Sequence, residues 1–293
     1  MSVVANQPAL VPLTGRRRRT NQVMRGLLLA ATLIALVPLF FVVYYVLKRG
    51  LGAWSLSFFT KDPTGAFIGD PGGIKSAIFG TLEIVGLATI VTVPLGIAVA
   101  LYLVEFGRAG RFGGLVRYFV DVMTGVPSIV FGLFVYITLI LTGVGGGFAG
   151  WKGSLALGLL MLPVVVRSAE VVLLLVPDSL REAALALGAS RWRVILSVVL
   201  PSATPGLITG SLLAVSRGMG ETAPLLFTAS AVLGTSFNLN DRMNSLPVLI
   251  YSNISKPNDT LVQQAWGAAL TLLALVLILT LIARLAARRS RIA

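Results

Sequence analysis

The run from Gly26 to Leu47 holds no charged residue and is long enough to cross the hydrocarbon core of a bilayer as one helix. It is one of several. Further apolar stretches lie at about 78–104, 116–141, 154–176, 202–229 and 265–285, so the pattern predicts an all-α membrane protein with six transmembrane helices. Charged residues make up 12% of the 293-residue chain, against about 25% in a soluble domain, and the mean hydropathy is +0.90. The chain contains neither histidine nor cysteine. Disulfides, thiolate or imidazole metal sites and a histidine proton relay are therefore excluded.

Six crossings return both termini to one side, and the charges say which. Arg16, Arg17, Arg18, Arg19, Arg25, Arg108, Arg111, Arg117, Arg181, Arg191, Arg193, Arg284, Arg288, Arg289 and Arg291 fall on one side. Lys48, Arg49, Lys61, Lys75, Lys152, Arg242 and Lys256 fall on the other. That imbalance puts both termini in the cytoplasm. It also accounts for the net charge of +13 as membrane orientation, without nucleic acid. The organisation predicted is a disordered cytoplasmic tail over 1–22, a first span and outside loop over 23–75, a transmembrane domain over 76–286 and a cytoplasmic tail over 287–293. The first run is too long for a signal-peptide h-region and ends in no small-residue cleavage site, so it reads as a retained anchor. The third span is expected to be continuous, and 230–264 to be a polar loop. Gly145 and Gly150 have the spacing that opens a phosphate-binding loop, but Trp151 stands where the lysine must be and no strand precedes it. That segment reads as a hairpin, and the chain supplies no ATP site.

Between the fourth and fifth spans lies a polar, helix-prone stretch. Pro177 and either Asp178 or Ser179 mark a helix start with one of the latter two as N-cap. Glu182, Ala183, Ala184, Leu185 and Ala186 favour helix, with Glu182 expected in the first turn, where its charge complements the dipole. Gly188 breaks the run, and Leu200-Pro201 marks entry to the next span. A short amphipathic helix on the membrane face, offered to another protein, is the simplest physical reading.

Two arginine–glutamate pairs lie inside spans. Arg167 precedes Glu170 by three residues and Arg217 precedes Glu221 by four, so each pair shares a helical face. A central arginine costs roughly 2.5–3.5 kcal/mol even on the lenient insertion scale, so it faces a bundle interior or a wet pathway. Arg117 and Asp121, four apart, are expected to form a structural ion pair. Gly206, Gly210, Ala214 and Gly218 recur every four residues, a small-residue seam that lets helices approach closely. Arg217 lies about 20° off that face and about 24 Å along the helix from Pro201. The guanidinium is a planar fork that stays charged when desolvated, which suits an oxyanion. Glu221 would orient it and partly neutralise it.

The stretch Glu182-Ala183-Ala184, Gly188, Val198-x-Leu200-Pro201 resembles the signature loop of ABC-importer permeases, with Val where Ile is commonest. Gly220-Glu221-Thr222-Ala223-Pro224-Leu225-Leu226 resembles the fifth helix of PstA-type permeases of phosphate ABC importers; the sister PstC type continues Gly-Glu-Thr-Met. Gly125-Val126-Pro127-Ser128-Ile129-Val130-Phe131-Gly132-Leu133 and Leu246-Pro247-Val248 are similar to the same family. This resemblance implies a type I importer half with the MetI-like permease fold, in the bacterial plasma (inner) membrane. It implies an inorganic phosphate importer whose path includes Arg217, Glu221, Arg167 and Glu170, and a coupling loop over 178–201. The implied partners are a PstC-type second permease, a dimer of PstB-type ATPase subunits that bind ATP and Mg, and a PstS-type extracytoplasmic phosphate-binding protein. The chain itself would be no enzyme and hold no cofactor. A permease of the same family for molybdate, tungstate or sulfate is the alternative, disfavoured by the Arg217–Thr222 stretch. A polytopic membrane enzyme has little to work with, since there is no histidine, no cysteine and no carboxylate cluster at a membrane face.

Overall fold

The computed structural model describes residues 15–66, 69–107 and 110–289; the readings for 1–14, for Arg108 and for 290–293 lie outside the described residues. The chain divides at Lys48–Arg49 into two compact units. The first is built on α1 (Gly15–Gly50), with Pro38 inside it. This helix starts ahead of the apolar run, so Arg17–Arg19 are helical where the sequence predicts a disordered tail. Arginine is a good helix former, and extending a nucleated helix is far easier than starting one.

The second unit holds α2 (Leu56–Thr60), α3 (Lys75–Leu101), α4 (Arg111–Gly125), α5 (Ser128–Val135), α6 (Gly150–Leu174) and α7 (Asp178–Ala186), followed by α8 (Arg191–Val194), α9 (Leu200–Gly220), α10 (Ala223–Leu226), α11 (Leu246–Ile254) and α12 (Asp259–Arg289). Three π turns extend these helices: Tyr102–Phe106 after α3, Tyr136–Ile140 after α5, and Ile195–Val199 joining α8 to α9. Among the described residues, five helices are long and apolar enough to cross a membrane: Arg17–Ala53, Lys75–Phe106, Gly150–Leu174, Arg191–Gly220 and Asp259–Leu285.

The sixth span is different in kind. α4 and α5 meet at 102° and make a span only when taken together, where the sequence predicts a continuous one. The cause is local. Pro127 biases Val126 away from helical geometry, and Val126 is extended at φ −73°, ψ 129°. The fifth span is corrected too. It begins at Arg191 and ends at Gly220, so Pro201 sits inside a continuous helix just after a π turn and not at its entry. Residues 230–264 are likewise no plain loop, since α11 lies within them and α12 begins at Asp259.

α6 is the hub of the second unit, with half of its apolar stretch buried. Leu157, Leu160, Met161 and Val165 turn into the main core with Ile84, Ala88, Ala214, Val215, Met219 and Leu225, and Val166 packs with Leu103 and Val120. A second core, nearer the end of α6, gathers Ala169, Leu173, Val176, Val194, Val199 and Ala203. In a bilayer such packing rests on close van der Waals contact, because lipid is as apolar as the side chains.

Candidate functional site

Two helix breaks meet in the middle of this unit. α9 stops at Gly220 because Pro224, four residues on, has no N–H and its ring would strike the Gly220 carbonyl of a continuing helix. Glu221 is then extended, at φ −76°, ψ 128°, and the chain restarts as α10. The other break is Val126-Pro127. Past it, Gly132 of α5 lies so close to the Pro224 backbone that an added Cβ would be 2.7 Å from Pro224 Cα. Phe131, Met219 and Leu225 share the same core, with Met123 and Val126 packed against it. Two stretches that resemble the same family in sequence are thus in contact in space.

Arg217 lies in the last turn of α9, where a cation complements the carbonyl end of the helix. Its Nε is 3.6 Å from Glu221 Oε1, an ion pair too long for a hydrogen bond, and its side chain is 48% exposed.

The seam residues face α6. A Cβ added at Gly206 would meet Val172 at 2.5 Å, at Gly210 Ser168 Oγ at 2.6 Å, and at Gly218 Met161 Sδ at 2.7 Å. Ala214 is fully buried. Alongside runs an open groove of about 900 Å³ between α6, α9 and α12, with Arg167, Ser168, Thr209, Ser216, Thr280 and Arg284 among its walls. Its floor is otherwise largely aliphatic, and its wall reaches the residue next to Arg217.

Arg167 is in another situation. Its Nη1 donates to Glu170 Oε2 at 2.8 Å and its Nη2 pairs with Asp121. Glu170, with its side chain 7% exposed, also accepts from Arg117 Nε at 2.7 Å. Arg117 therefore pairs with Glu170 and not with Asp121, and Asp121 is taken by Arg167. The helix-neighbour pairing expected for Arg117 and Asp121 is overridden because α6 presents a buried carboxylate to α4. The result is two arginines and two carboxylates in one network, with Arg117 also donating to the Leu103 carbonyl at 2.8 Å.

The coupling stretch forms α7, and it begins at Asp178 with Pro177 at the cap position and no side-chain cap bond. Neither Asp178 nor Ser179 is the N-cap. Asp178, not Glu182, occupies the first turn, and Glu182 and Ala183 are exposed one turn later. The helix ends in a Schellman motif. Gly188 N–H donates to the Leu185 carbonyl at 2.9 Å and Ala189 N–H to the Ala184 carbonyl at 3.2 Å. Gly188 holds φ +81°, which explains glycine there. Leu185, Leu187 and Trp192 stand exposed on this side, Leu187 the most. Leu200 and Pro201 lie at the base of α9, past the π turn.

Three residues gained a role that sequence reasoning missed. Lys152, counted as an outside-loop charge, is fully buried, and its Nζ donates to the Gly146 and Gly147 carbonyls at 2.6 and 2.8 Å. It locks the glycine hairpin. Arg181, counted only for topology, is buried and donates to Glu105, Asp178 and two backbone carbonyls. Glu105 is its partner. The one signal available was the three-residue spacing of Asp178 and Arg181.

Residues 92–292 match the family model described as binding-protein-dependent transport system inner membrane component. The phosphate transport system permease protein PstA 1 of Mycobacterium tuberculosis is 41% identical over 96% of this chain and 93% of its own. PstA of Haemophilus influenzae is 39% identical over 92% and 94%, and PstA of Mycobacterium leprae 44% over 91% and 88%. Among solved structures, the inward-facing MetNI methionine ABC transporter aligns with a TM-score of 0.55 at 20% identity, covering 75% of this chain and 93% of that one. A bacterial ABC transporter that imports the acidic polysaccharide alginate aligns at 0.58 and 15% identity, covering 92% and 96%. These two show the MetI-like permease fold alone. Taken with the broken helices and the exposed α7, the matches lead to one statement: the chain belongs to the binding-protein-dependent transport system inner membrane components, and within them to the PstA permeases.

Proposed function

We propose that this chain is the transmembrane permease subunit of an ATP-driven importer of inorganic phosphate and forms one half of its translocation path. The observation that carries the substrate site is Arg217. It is an intramembrane guanidinium, half-exposed at a helix break, whose partner Glu221 stands too far away to hold its hydrogen-bond donors. Such a fork takes two oxygens of a tetrahedral anion in paired, charge-assisted bonds. Glu221 keeps the net local charge low, so the anion is held weakly enough to leave. The groove past Ser216 towards Arg167 and Arg284 supplies hydroxyls and cations along the way, and the second permease closes its open side.

ATP is hydrolysed in separate ATPase subunits, which bind ATP and Mg and dock on α7 and the exposed Leu185, Leu187 and Trp192. Closure of the ATPase dimer moves α7 as a lever. The path then opens outward, a docked extracytoplasmic binding protein releases phosphate towards Arg217, and hydrolysis restores the inward-facing state. Both termini and α7 lie on the cytoplasmic side.

The test is phosphate uptake by wild-type and Arg217→Gln complexes of equal assembly, with molybdate and sulfate as competitors. Loss of uptake by at least tenfold, with assembly and ATP hydrolysis retained and competition by phosphate only, is the expected result. Unchanged uptake would reduce Arg217 to a helix-end cation. Equal competition by molybdate or sulfate would move the chain to another oxyanion.

A further inference from the structure

α7 does not lie loosely on the membrane face. Arg181 Nη1 donates to the Val176 carbonyl at 2.6 Å and to Asp178 Oδ1 at 3.0 Å, and Nη2 donates to the Leu173 carbonyl at 2.9 Å. Leu173 is in the last turn of α6 and Val176 lies just past it, so Arg181 caps the end of that span from α7. Its Nε also donates to Glu105 Oε1 at 3.1 Å. Glu105 belongs to the π turn Tyr102–Phe106 that ends the α3 span. A cavity of about 200 Å³ lies at this junction, walled by Glu105, Phe106, Asp178, Arg181, Leu185 and Arg191 among others.

The same π turn is held from its other side. Arg117 Nη2 donates to the Leu103 carbonyl at 2.8 Å and Nη1 reaches the Gly107 carbonyl at 3.5 Å, while Nε holds Glu170. Glu170 in turn holds Arg167, a wall of the 900 Å³ groove. Charge-assisted bonds and one helical turn therefore run without a gap from α7 to the groove. A π turn carries one residue more than an α turn, and such turns inside helices are frequent at functional sites. Here it lies between the contacts of Arg181 and those of Arg117.

We propose that Glu105 and Arg117 are positioning residues that make the Tyr102–Phe106 turn the joint through which movement of α7 reaches Arg167 and Glu170. When α7 is drawn away from the membrane, Arg181 pulls Glu105, the turn changes register, and Arg117 shifts its hold on Glu170. Arg167 then changes its presentation to the groove. This rests on the reading of α7 as the place where the ATPase acts. Mere spatial continuity does not establish coupling, so the experiment reads coupling itself.

Complete complexes with the second permease, the ATPase and the binding protein are reconstituted in vesicles, and phosphate uptake is measured together with ATP hydrolysis. Glu105→Ala is expected to lower phosphate moved per ATP about tenfold while hydrolysis continues. Glu105→Gln, which still accepts from Arg181, is expected to restore most of it. A fixed structural prop would change amount of complex but not that ratio. A Glu105→Ala complex as tightly coupled as wild type overturns the joint. Should Glu105→Ala fail to assemble, hydrogen exchange of the wild-type complex decides. The amides of 102–107 should differ between nucleotide-free and nucleotide-trapped states, and identical exchange there overturns the proposal. A wild-type complex with no phosphate-coupled hydrolysis would instead strike the functional reading, so the two failures are distinct.

Discussion

Arg167 and Arg217 look alike in the sequence: each is an arginine inside an apolar span with a glutamate three or four residues on. In space they differ in almost every respect. Arg167 is held by Glu170 at 2.8 Å and by Asp121, and Glu170 is itself buried and shared with Arg117. Arg217 has one carboxylate at 3.6 Å and nearly half its surface open. The first pair lies within α6, where Glu170 is enclosed and Arg167 borders the groove. The second straddles a helix end, where the extended Glu221 draws its carboxylate away from the ideal i,i+4 position. A membrane arginine held by two close carboxylates stabilises a bundle, and one whose single carboxylate stands beyond hydrogen-bond distance has donors to offer a ligand. The spacing alone does not separate them. The break after Gly220 does.

The largest effect should come from opening the closed network. Glu170→Ala leaves Arg117 and Arg167 facing each other without their shared carboxylate. Losing one partner of a buried ion pair costs about 3–5 kcal/mol. The expected outcome is little folded permease after detergent extraction, read by size-exclusion chromatography and thermal melting. A normal yield with lost uptake would instead place Glu170 among the groups that meet the anion.

Most of the spans were legible because length and absence of charge decide them, and the helix at 178–186 because good helix formers stand between Pro177 and Gly188. The family-like stretches around Gly125 and Gly220 were visible too. Their consequence was not, because the bend after Gly125 and the stop at Gly220 depend on what a proline does to residues before it, and apolar periodicity runs on regardless. Pairing across elements was likewise hidden. Asp121 sits four residues after Arg117, which invites a local pair, yet Glu170 arrives from α6 with a stronger, drier claim. Lys152 reads as a loop charge until the glycine turn folds its carbonyls over it.

The seam links the two arginines, since Gly210 packs on Ser168, next to Arg167, and the same helix carries Arg217. Gly210→Val would put branched carbon where Ser168 Oγ already lies 2.6 Å from an added Cβ. Overpacking of this kind costs about 1–3 kcal/mol. Reduced melting temperature together with reduced uptake is expected. An unchanged melting temperature would mean that α9 can retreat from α6, and that the groove wall is not fixed.

A sharper probe of the open site keeps its charge. Arg217→Lys retains a cation but loses the planar fork, so paired bonding to two oxygens of an anion is lost. Uptake about tenfold lower, equivalent to about 1.4 kcal/mol, is expected at unchanged assembly. Full uptake by the lysine variant would show that Arg217 acts as a point charge, and the contrast with the hydrogen-bonded network would lose half its meaning.

The smallest effect should come from the network's outer member. Asp121 pairs with Arg167, but its side chain is 60% exposed, whereas Glu170 is enclosed. Exposed ion pairs contribute about 0.2–1 kcal/mol, because long side chains lose freedom to form them. Asp121→Asn keeps the shape and an acceptor oxygen, so it should barely alter melting while freeing part of Arg167 towards the groove. If Arg167 is only structural, uptake of the Asn variant should match wild type. A change in apparent phosphate affinity without a change in melting would make Arg167 a second anion contact, and Asp121 the group that holds it in reserve.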